Sequence, residues 1–555
     1  MPKSSLRSFA FAALIASASL LVACGGGGGG GSSTPPPTVT TPPPPSTPPP
    51  PTSSAPSWTP GIFEPSGNFQ QFCAAPRSGV DAGGTSFPDQ PGSLAEELFW
   101  LRSWTDETYL WNDEVIDRNP NTFSDQETYF DLLKTNAITP SGKEKDDFHF
   151  SEPTSATLAR RTSAPSAGYG ATIVAFSRTP PRDFRVIYTE QNSPAAQIVS
   201  GQPNLRRGAR ILTIDGVDLV NADTQSEIDT LNAGLFPETA GETRIFEVLD
   251  PGASSSRSVL LTSADIVDAP VNRTTTIDTP TGKVGYVLFN TFSPFAAEEA
   301  IATAFTEMQS ESVTDLVLDL RYNGGGLLAI ASQLGYMIAG PAQTQNKAFN
   351  RDIINDNPNN PFRAFNPVTP FYSTGQDFSL ARGTPLPSLS LSRVYILSTE
   401  DTCSASESVI NALRGIDVEV ILIGDTTCGK PFGFFATDNC GITYYTIQFQ
   451  ASNDRSFGDY ADGFYPANSG QSFGVEVPGC LVADDLNTEL GDPSEGLLAA
   501  ALEYRASGTC PPIAPVTTKS QPISIALKPG MTEVATTRMT ASEREIVGNM
   551  RIARP

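Results

Sequence analysis

A chain of 555 residues exceeds what one hydrophobic core organises, and its length suggests about three or four units. Sixty acidic residues against 36 basic ones leave a net charge of −24, which argues against nucleic acid and anionic lipid headgroups as partners. Abundant proline (48) and glycine (46) mark linker segments, and the hydrophobic 39% is enough for a core once those are set aside.

Residues 1–24 read as a targeting segment. Lys3 and Arg7 supply a basic start, and the apolar stretch Phe9 to Val22 is too short and too rich in small residues for a stable membrane span. It ends in Leu21-Val22-Ala23-Cys24, which resembles a bacterial lipobox. That resemblance implies cleavage before Cys24, lipidation of Cys24, export, and a membrane partner reached through the lipid anchor. With Gly25 next, it also implies an outer-membrane address; a plain cleaved signal peptide is the alternative. Residues 25–57 are glycine- and then proline-rich, a tether that starts flexible and stiffens toward polyproline II.

Residues 58–160 are expected to form a small helical domain. Leu98, Leu101, Trp104, Thr108 and Trp111 recur at helical spacing, and Tyr129, Leu132 and Leu133 suggest a second helix. The stripe Trp100, Trp104, Tyr109 and Trp111 reads as a buried seam more readily than as a ligand box.

Residues 161–265 read as short strands with turns. The turn Gly168-Tyr169-Gly170-Ala171 precedes a strand from Thr172 to Phe176, and Arg185 to Tyr188 is another. A short helix is expected from Ser193-Pro194-Ala195-Ala196, a second from Gln225, and a closing strand over Arg244 to Val248. This order resembles a PDZ domain, which implies a peptide added to a sheet edge with its terminal carboxylate held by the amides of Gly168, Tyr169, Gly170 and Ala171.

Residues 270–510 alternate strand and helix: Val284 to Phe289, Ala296 to Met308, Leu316 to Leu320, Leu327 to Met337. Residues 511–555 are weakly patterned and read as a disordered tail. The expected fold is therefore α/β and multidomain, with an N-terminal helical domain, a PDZ-like β-rich module and an α/β catalytic core built on a mostly parallel sheet.

Two elements in the second half carry chemistry. Thr402-Cys403-Ser404-Ala405-Ser406-Glu407 opens a helical pattern directly after the strand-like run from Val394 to Leu397. Gly424-Asp425-Thr426-Thr427-Cys428-Gly429-Lys430 closes the run from Val418 to Ile423. A serine at a helix N-terminus has backbone N–H groups beside it, and a lysine held in an apolar site can act as a general base. Ser404 is the candidate nucleophile, Lys430 the candidate base, and the Ala405 N–H an oxyanion donor. Asp319-Leu320-Arg321-Tyr322-Asn323-Gly324-Gly325-Gly326 supplies glycines able to approach a reacting carbonyl, so Gly324 and Gly325 are expected to offer a second N–H.

Together these three motifs resemble the carboxy-terminal processing peptidases, or tail-specific proteases, over roughly residues 95 to 505. The resemblance implies an exported serine endopeptidase that forms an acyl-enzyme, uses no metal or cofactor, and acts on protein or peptide substrates with free C-termini. It selects Ser404 over Ser406 and gives Glu407 a part in the site. Where many relatives have a glutamine after the lysine, this chain has Phe434, and where some place a histidine it has Phe148, one residue before His149.

Other classes are weaker. Gly424 to Lys430 matches a phosphate-binding loop, but Pro431 stands where the metal-binding hydroxyl belongs. A lone histidine, His149, makes a Ser-His-Asp site unattractive, and it reads as structural. A catalytically silent peptide-binding scaffold is the remaining alternative. Setting Cys24 aside, six cysteines in an exported chain read as disulfides, and Cys428 with Cys440 is the expected pair because they bracket Lys430.

Overall fold

Residues 56–81 and 85–512 are described by a computed structural model. The signal segment with Cys24, nearly all of the tether and most of the tail lie outside the described residues. No helix among the described residues is long and apolar enough to cross a membrane.

Helix α1 (Leu94–Thr108) buries Leu98, Phe99, Trp100, Leu101 and Trp104 against Tyr129, Phe130 and Leu133. Trp100 and Trp104 stack at 5.1 Å, so the aromatic stripe is a packing seam. The second helix expected around Tyr129 to Leu133 shrinks to Gln126–Phe130, capped by Asp125. The chain leaves helical geometry there, and Thr135 N–H is taken by the Tyr109 hydroxyl at 3.1 Å. Downstream, Phe150–Pro153 pairs with Ile442–Tyr445, which weaves this region into the core.

The β-rich region is an antiparallel sheet with order β5-β4-β3-β2-β1: β1 (Ala171–Ser177), β2 (Asp183–Thr189), β3 (Arg210–Ile214), β4 (Thr243–Leu249) and β5 (Arg257–Thr262). Helix α2 (Gln225–Leu235) starts at a Thr224–Glu227 capping box and buries Ile228, Leu231 and Leu235 in the region's own apolar cluster. Two expectations fail here. Ser193 to Ala196 turns rather than coils into a helix, because Ala195 N–H donates to the Tyr169 carbonyl across the domain at 2.9 Å. The strand at Arg244 does not close the sheet either; β5 pairs beyond it along its whole length.

The core sheet has order β6-β7-β8-β9-β10-β11: β6 (Val271–Thr279), β7 (Gly282–Phe289), β8 (Asp315–Asp319), β9 (Arg393–Ser398), β10 (Glu419–Gly424) and β11 (Gly479–Leu481). Within it β6 runs antiparallel to β7, and the next four pairings are parallel. A mostly parallel arrangement does not describe the molecule, however, since antiparallel pairings outnumber parallel ones across the described strands. Hairpins and short return strands account for the excess, among them Ala348–Ile353 with Phe449–Ser452.

Alternate residues of β7 point to opposite faces. Val287 and Phe289 join the cluster holding helices α3 (Ala297–Ser310), α4 (Leu328–Ala339) and α5 (Ala405–Gly415). Val284, Tyr286 and Leu288 join the cluster under α6 (Gly496–Ser507). Burial on both faces explains why these strands read as continuous apolar runs. The parallel strands all deliver their carboxyl ends to one edge, where the loops after β7, β8, β9 and β10 meet.

Candidate active site

Ser404 follows β9 and begins α5 with φ 62° and ψ −112°. That left-handed φ is unfavourable for a residue with a Cβ, and such strain persists only where the surroundings enforce it. The side chain is fully buried and its hydroxyl makes no hydrogen bond among the described residues. An ordinary N-cap serine would bond a backbone N–H of the first turn; this one does not. Ser406 is committed, since its Oγ donates to the Asn323 carbonyl at 3.0 Å. The two serines are thus told apart by their partners.

Glu407 ties together the two segments that bear Ser404 and Lys430. One carboxylate oxygen accepts from the Ser404 N–H at 3.0 Å and from the Lys430 N–H at 2.8 Å. The other accepts from Gly429 N–H at 2.8 Å and Thr427 Oγ1 at 2.5 Å. Burial pushes the carboxyl above its ordinary range, and these donors pull the other way. Glu407 therefore fixes the main chain on both sides of the site.

Lys430 is fully buried, and its ammonium lies over the rings of Phe148 at 4.6 Å and Phe434 at 4.7 Å. The two positions at which polar groups were looked for thus hold the phenyl walls of the lysine site. Phe432–Gly433 form a short strand after Lys430 rather than a helix, so no helix N-terminus faces a phosphate here.

The glycine turn after β8 lies against Ser404. A Cβ on Gly325 (φ +109°) would stand 2.9 Å from Ser404 Cβ and 3.0 Å from Ala405 N, which only glycine permits. Gly325 does not offer its N–H, however: that group donates to Asn323 Oδ1 at 2.9 Å. The N–H groups of Ala405 and Gly324 have no acceptor among the described residues. The expectation is corrected accordingly: Gly325 gives room, and Ala405 and Gly324 are the open donors. Asn323 was missed, although an asparagine two residues before a glycine is a recognisable turn signal.

Arg321, fully buried, is paired with Asp319, Glu495 and Asp484. Asp484 also receives Arg207 from the β-rich region at 2.7 Å and the Tyr322 hydroxyl. This patch joins that region to the strand end that carries the glycine turn.

The expected Cys428–Cys440 bridge does not form. The disulfides are Cys403–Cys428, Cys73–Cys440 and Cys480–Cys510. β9 and β10 are neighbours, so their loops leave the same edge side by side, and Cys428 N–H donates to the Thr402 carbonyl at 3.1 Å. Cys440 sits instead on a hairpin tip beside Cys73, where Gln71 N–H meets Asn439 Oδ1 at 2.8 Å. One bridge thus connects the residue before Ser404 with the loop that carries Lys430.

His149 is structural in its surroundings. Its ring nitrogens contact Thr446 Oγ1 at 2.9 Å and the Phe130 carbonyl at 2.8 Å, and burial pulls its pKa down to about 4. The carboxylate turn proposed at Gly168 to Ala171 is braced from behind. The Gly170 carbonyl accepts from Glu190 N–H at 2.8 Å, and the amides of Tyr169 and Gly170 donate to nothing among the described residues. β1 begins there, and its outer edge pairs with no described strand.

Residues 283–456 match the family model described as Peptidase family S41. Over these residues the chain is similar to the S41 peptidases. It is 26% identical over 378 residues to the chloroplastic C-terminal processing peptidase of Tetradesmus obliquus, covering 64% of this chain and 70% of that one. It is 29% identical over 222 residues to a carboxyl-terminal-processing protease of Picosynechococcus sp., covering 40% of this chain and 45% of that one, so it spans about half of that relative. A solved Bacteroides fragilis structure assigned to the S41 proteases shares the fold, with TM-score 0.55 and 24% identity over 74% of this chain and 97% of that one. The matched segment begins just inside β7 and takes in Ser404, Glu407 and Lys430.

Proposed function

We propose that this protein is an exported serine endopeptidase in which Ser404 attacks the scissile carbonyl and Lys430 takes its proton. The observation that carries the reading is the buried, unpaired hydroxyl of Ser404, whose main-chain N–H shares one Glu407 carboxylate oxygen with the Lys430 N–H. Lys430 would act in its neutral amine form, the form able to take a proton. The Ala405 and Gly324 amides would take the negative charge of the tetrahedral intermediate. Lys430 would then return its proton to the leaving amine, and water would release the acyl group from Ser404.

The β-rich region would select substrates by their C-terminal tails. Support comes from the open amides of Tyr169 and Gly170 at the start of an unpaired edge strand. Three disulfides suit an oxidising compartment, and the leader with Cys24 suits a lipid-anchored envelope protein. The test is cleavage of casein and of peptides with free or amidated C-termini by wild type and Ser404→Ala. The reading expects Ser404→Ala to fold and to lose cleavage, and wild type to prefer free carboxylates. A folded Ser404→Ala protein that still cleaves would refute the nucleophile, and equal cleavage of amidated peptides would refute tail selection. The second reading, a silent peptide-binding scaffold, predicts tail binding with no turnover by wild type.

A further inference from the structure

The strip that follows β7 runs along the glycine turn on the side away from Ser404. Asn323 Nδ2 donates to the Phe289 carbonyl at 2.8 Å, Phe292 N–H to the Gly325 carbonyl at 2.9 Å, and Leu327 N–H to the Phe292 carbonyl at 3.2 Å. A Cβ on Gly326 would stand 2.5 Å from Ser293 N. Gly325 therefore touches Ser404 on one side, and Gly326 touches Ser293 on the other.

Two side chains on this strip have no hydrogen-bond partner among the described residues. Asn290 is 8% exposed with both its amide oxygen and its amide nitrogen unpaired, and Ser293 is 5% exposed with its hydroxyl unpaired. Asn290 is alone among the described buried residues in leaving both atoms of an amide unsatisfied. Elsewhere in the core, asparagines close their own turns: Asn323, Asn355, Asn360 and Asn453 each accept from an N–H two residues on. Asn290 does not. A buried amide with neither donor nor acceptor satisfied is costly, and an apolar residue would avoid that cost. The unpaired groups Asn290, Ser293 and Ser404 lie around one glycine turn, and the last is the proposed nucleophile.

We infer that Asn290 and Ser293 form a binding site for the main chain of an extended peptide substrate beside the scissile bond. This rests on the peptidase reading given above. A carboxamide offers one acceptor and a donor pair, which matches the alternating N–H and C=O of an extended peptide; the serine hydroxyl can serve either sense. Both are positioning residues that hold the peptide main chain equally in the ground and transition states, and neither takes part in bond-breaking.

The test uses the full chain carrying Asn290→Ala, Asn290→Leu or Ser293→Ala. It uses a fluorogenic peptide and a matching series in which one main-chain amide near the cleaved bond is replaced by an ester. Wild type should discriminate against the ester at one position. Asn290→Ala should raise KM roughly 10-fold, leave kcat within about twofold, and erase that discrimination. Asn290→Leu, which replaces the amide by an apolar group of similar size, should fold at least as stably and show the same loss. Unchanged KM with the ester penalty retained, or a drop in melting temperature with unchanged kinetics, would overturn the inference. If wild type cleaves no peptide, fluorescence anisotropy of the labelled peptide decides: weaker binding by Asn290→Ala supports the site, and equal binding overturns it. Failure of the peptidase reading shows as absent turnover, failure of this site as turnover indifferent to Asn290.

Discussion

Two regions are built on opposite plans. Around Ser404 and Lys430 the main chain is irregular, with positive φ at Ser404 and Gly429, and is pinned from within by Glu407 and the Cys403–Cys428 bridge. The β-rich region from Ser166 to Thr262 is a regular antiparallel sheet with its own apolar core, no disulfide, and a docking patch centred on Arg207. The contrast fits the proposed roles: bond-breaking would demand atoms held to a fraction of an ångström, which cross-links enforce. Selecting a tail demands an open edge and free amides, which a regular sheet provides. Changes in the first region should cost rate, and changes in the second should cost choice.

The largest loss is expected at Lys430. Arginine keeps the charge but gives up no proton at accessible pH, so Lys430→Arg should be about as damaging as Lys430→Ala, on the order of 10²–10⁴-fold in kcat. Near-normal turnover by Lys430→Arg would show that charge, rather than basicity, matters. Glu407→Gln comes next. Its carboxamide would turn one end, a donor, toward N–H groups that need an acceptor. A loss of about 10²-fold in kcat is expected with the fold retained by circular dichroism. An unaltered kcat would mean the main chains of Ser404 and Lys430 hold their places without it.

A pair of disulfide variants sharpens the comparison inside the core. Removing Cys403–Cys428 and removing Cys480–Cys510 should each lower stability by about 2–4 kcal/mol. Only the first should also slow turnover at temperatures where the protein is folded, by roughly 10-fold, because it moves the loops bearing Ser404 and Lys430. Equal effects of both double-serine variants on kcat would remove any positional role. The smallest effect belongs to the β-rich region. Gly170 has φ +71°, and a Cβ there would collide with Ser193. Gly170→Ala should therefore disturb the carboxylate turn and cut the preference for free over amidated tails roughly 3–10-fold, while casein turnover stays near wild type. A fall in casein turnover with the preference intact would break the division between the two regions.

Much of the fold was legible because strands buried on both faces leave unbroken apolar runs; β7, β8, β9 and β10 fall within a residue or two of expectation. Ser404 and Lys430 stood out since each follows such a run at a turn. What the sequence hid depends on neighbours across space. The pairing of Cys428 with Cys403 follows from β9 lying beside β10. Phe148, the position to which the family resemblance pointed, reaches Lys430 from a distant loop, and no local pattern announces that contact. The Gly325 amide was misread because its acceptor is a side chain two residues back. Ser193 to Ala196 has helix-like composition, yet the Tyr169 carbonyl claims its donor.

The central claim is that Ser404, and not its buried neighbour Ser406, is the nucleophile. Its most direct test is reaction of the folded protein with a fluorophosphonate, followed by peptide mapping of the adduct. A single adduct on Ser404, abolished by Lys430→Ala and kept in Ser406→Ala, is the predicted result. An adduct on Ser406, or labelling of Ser404 indifferent to Lys430, would contradict it.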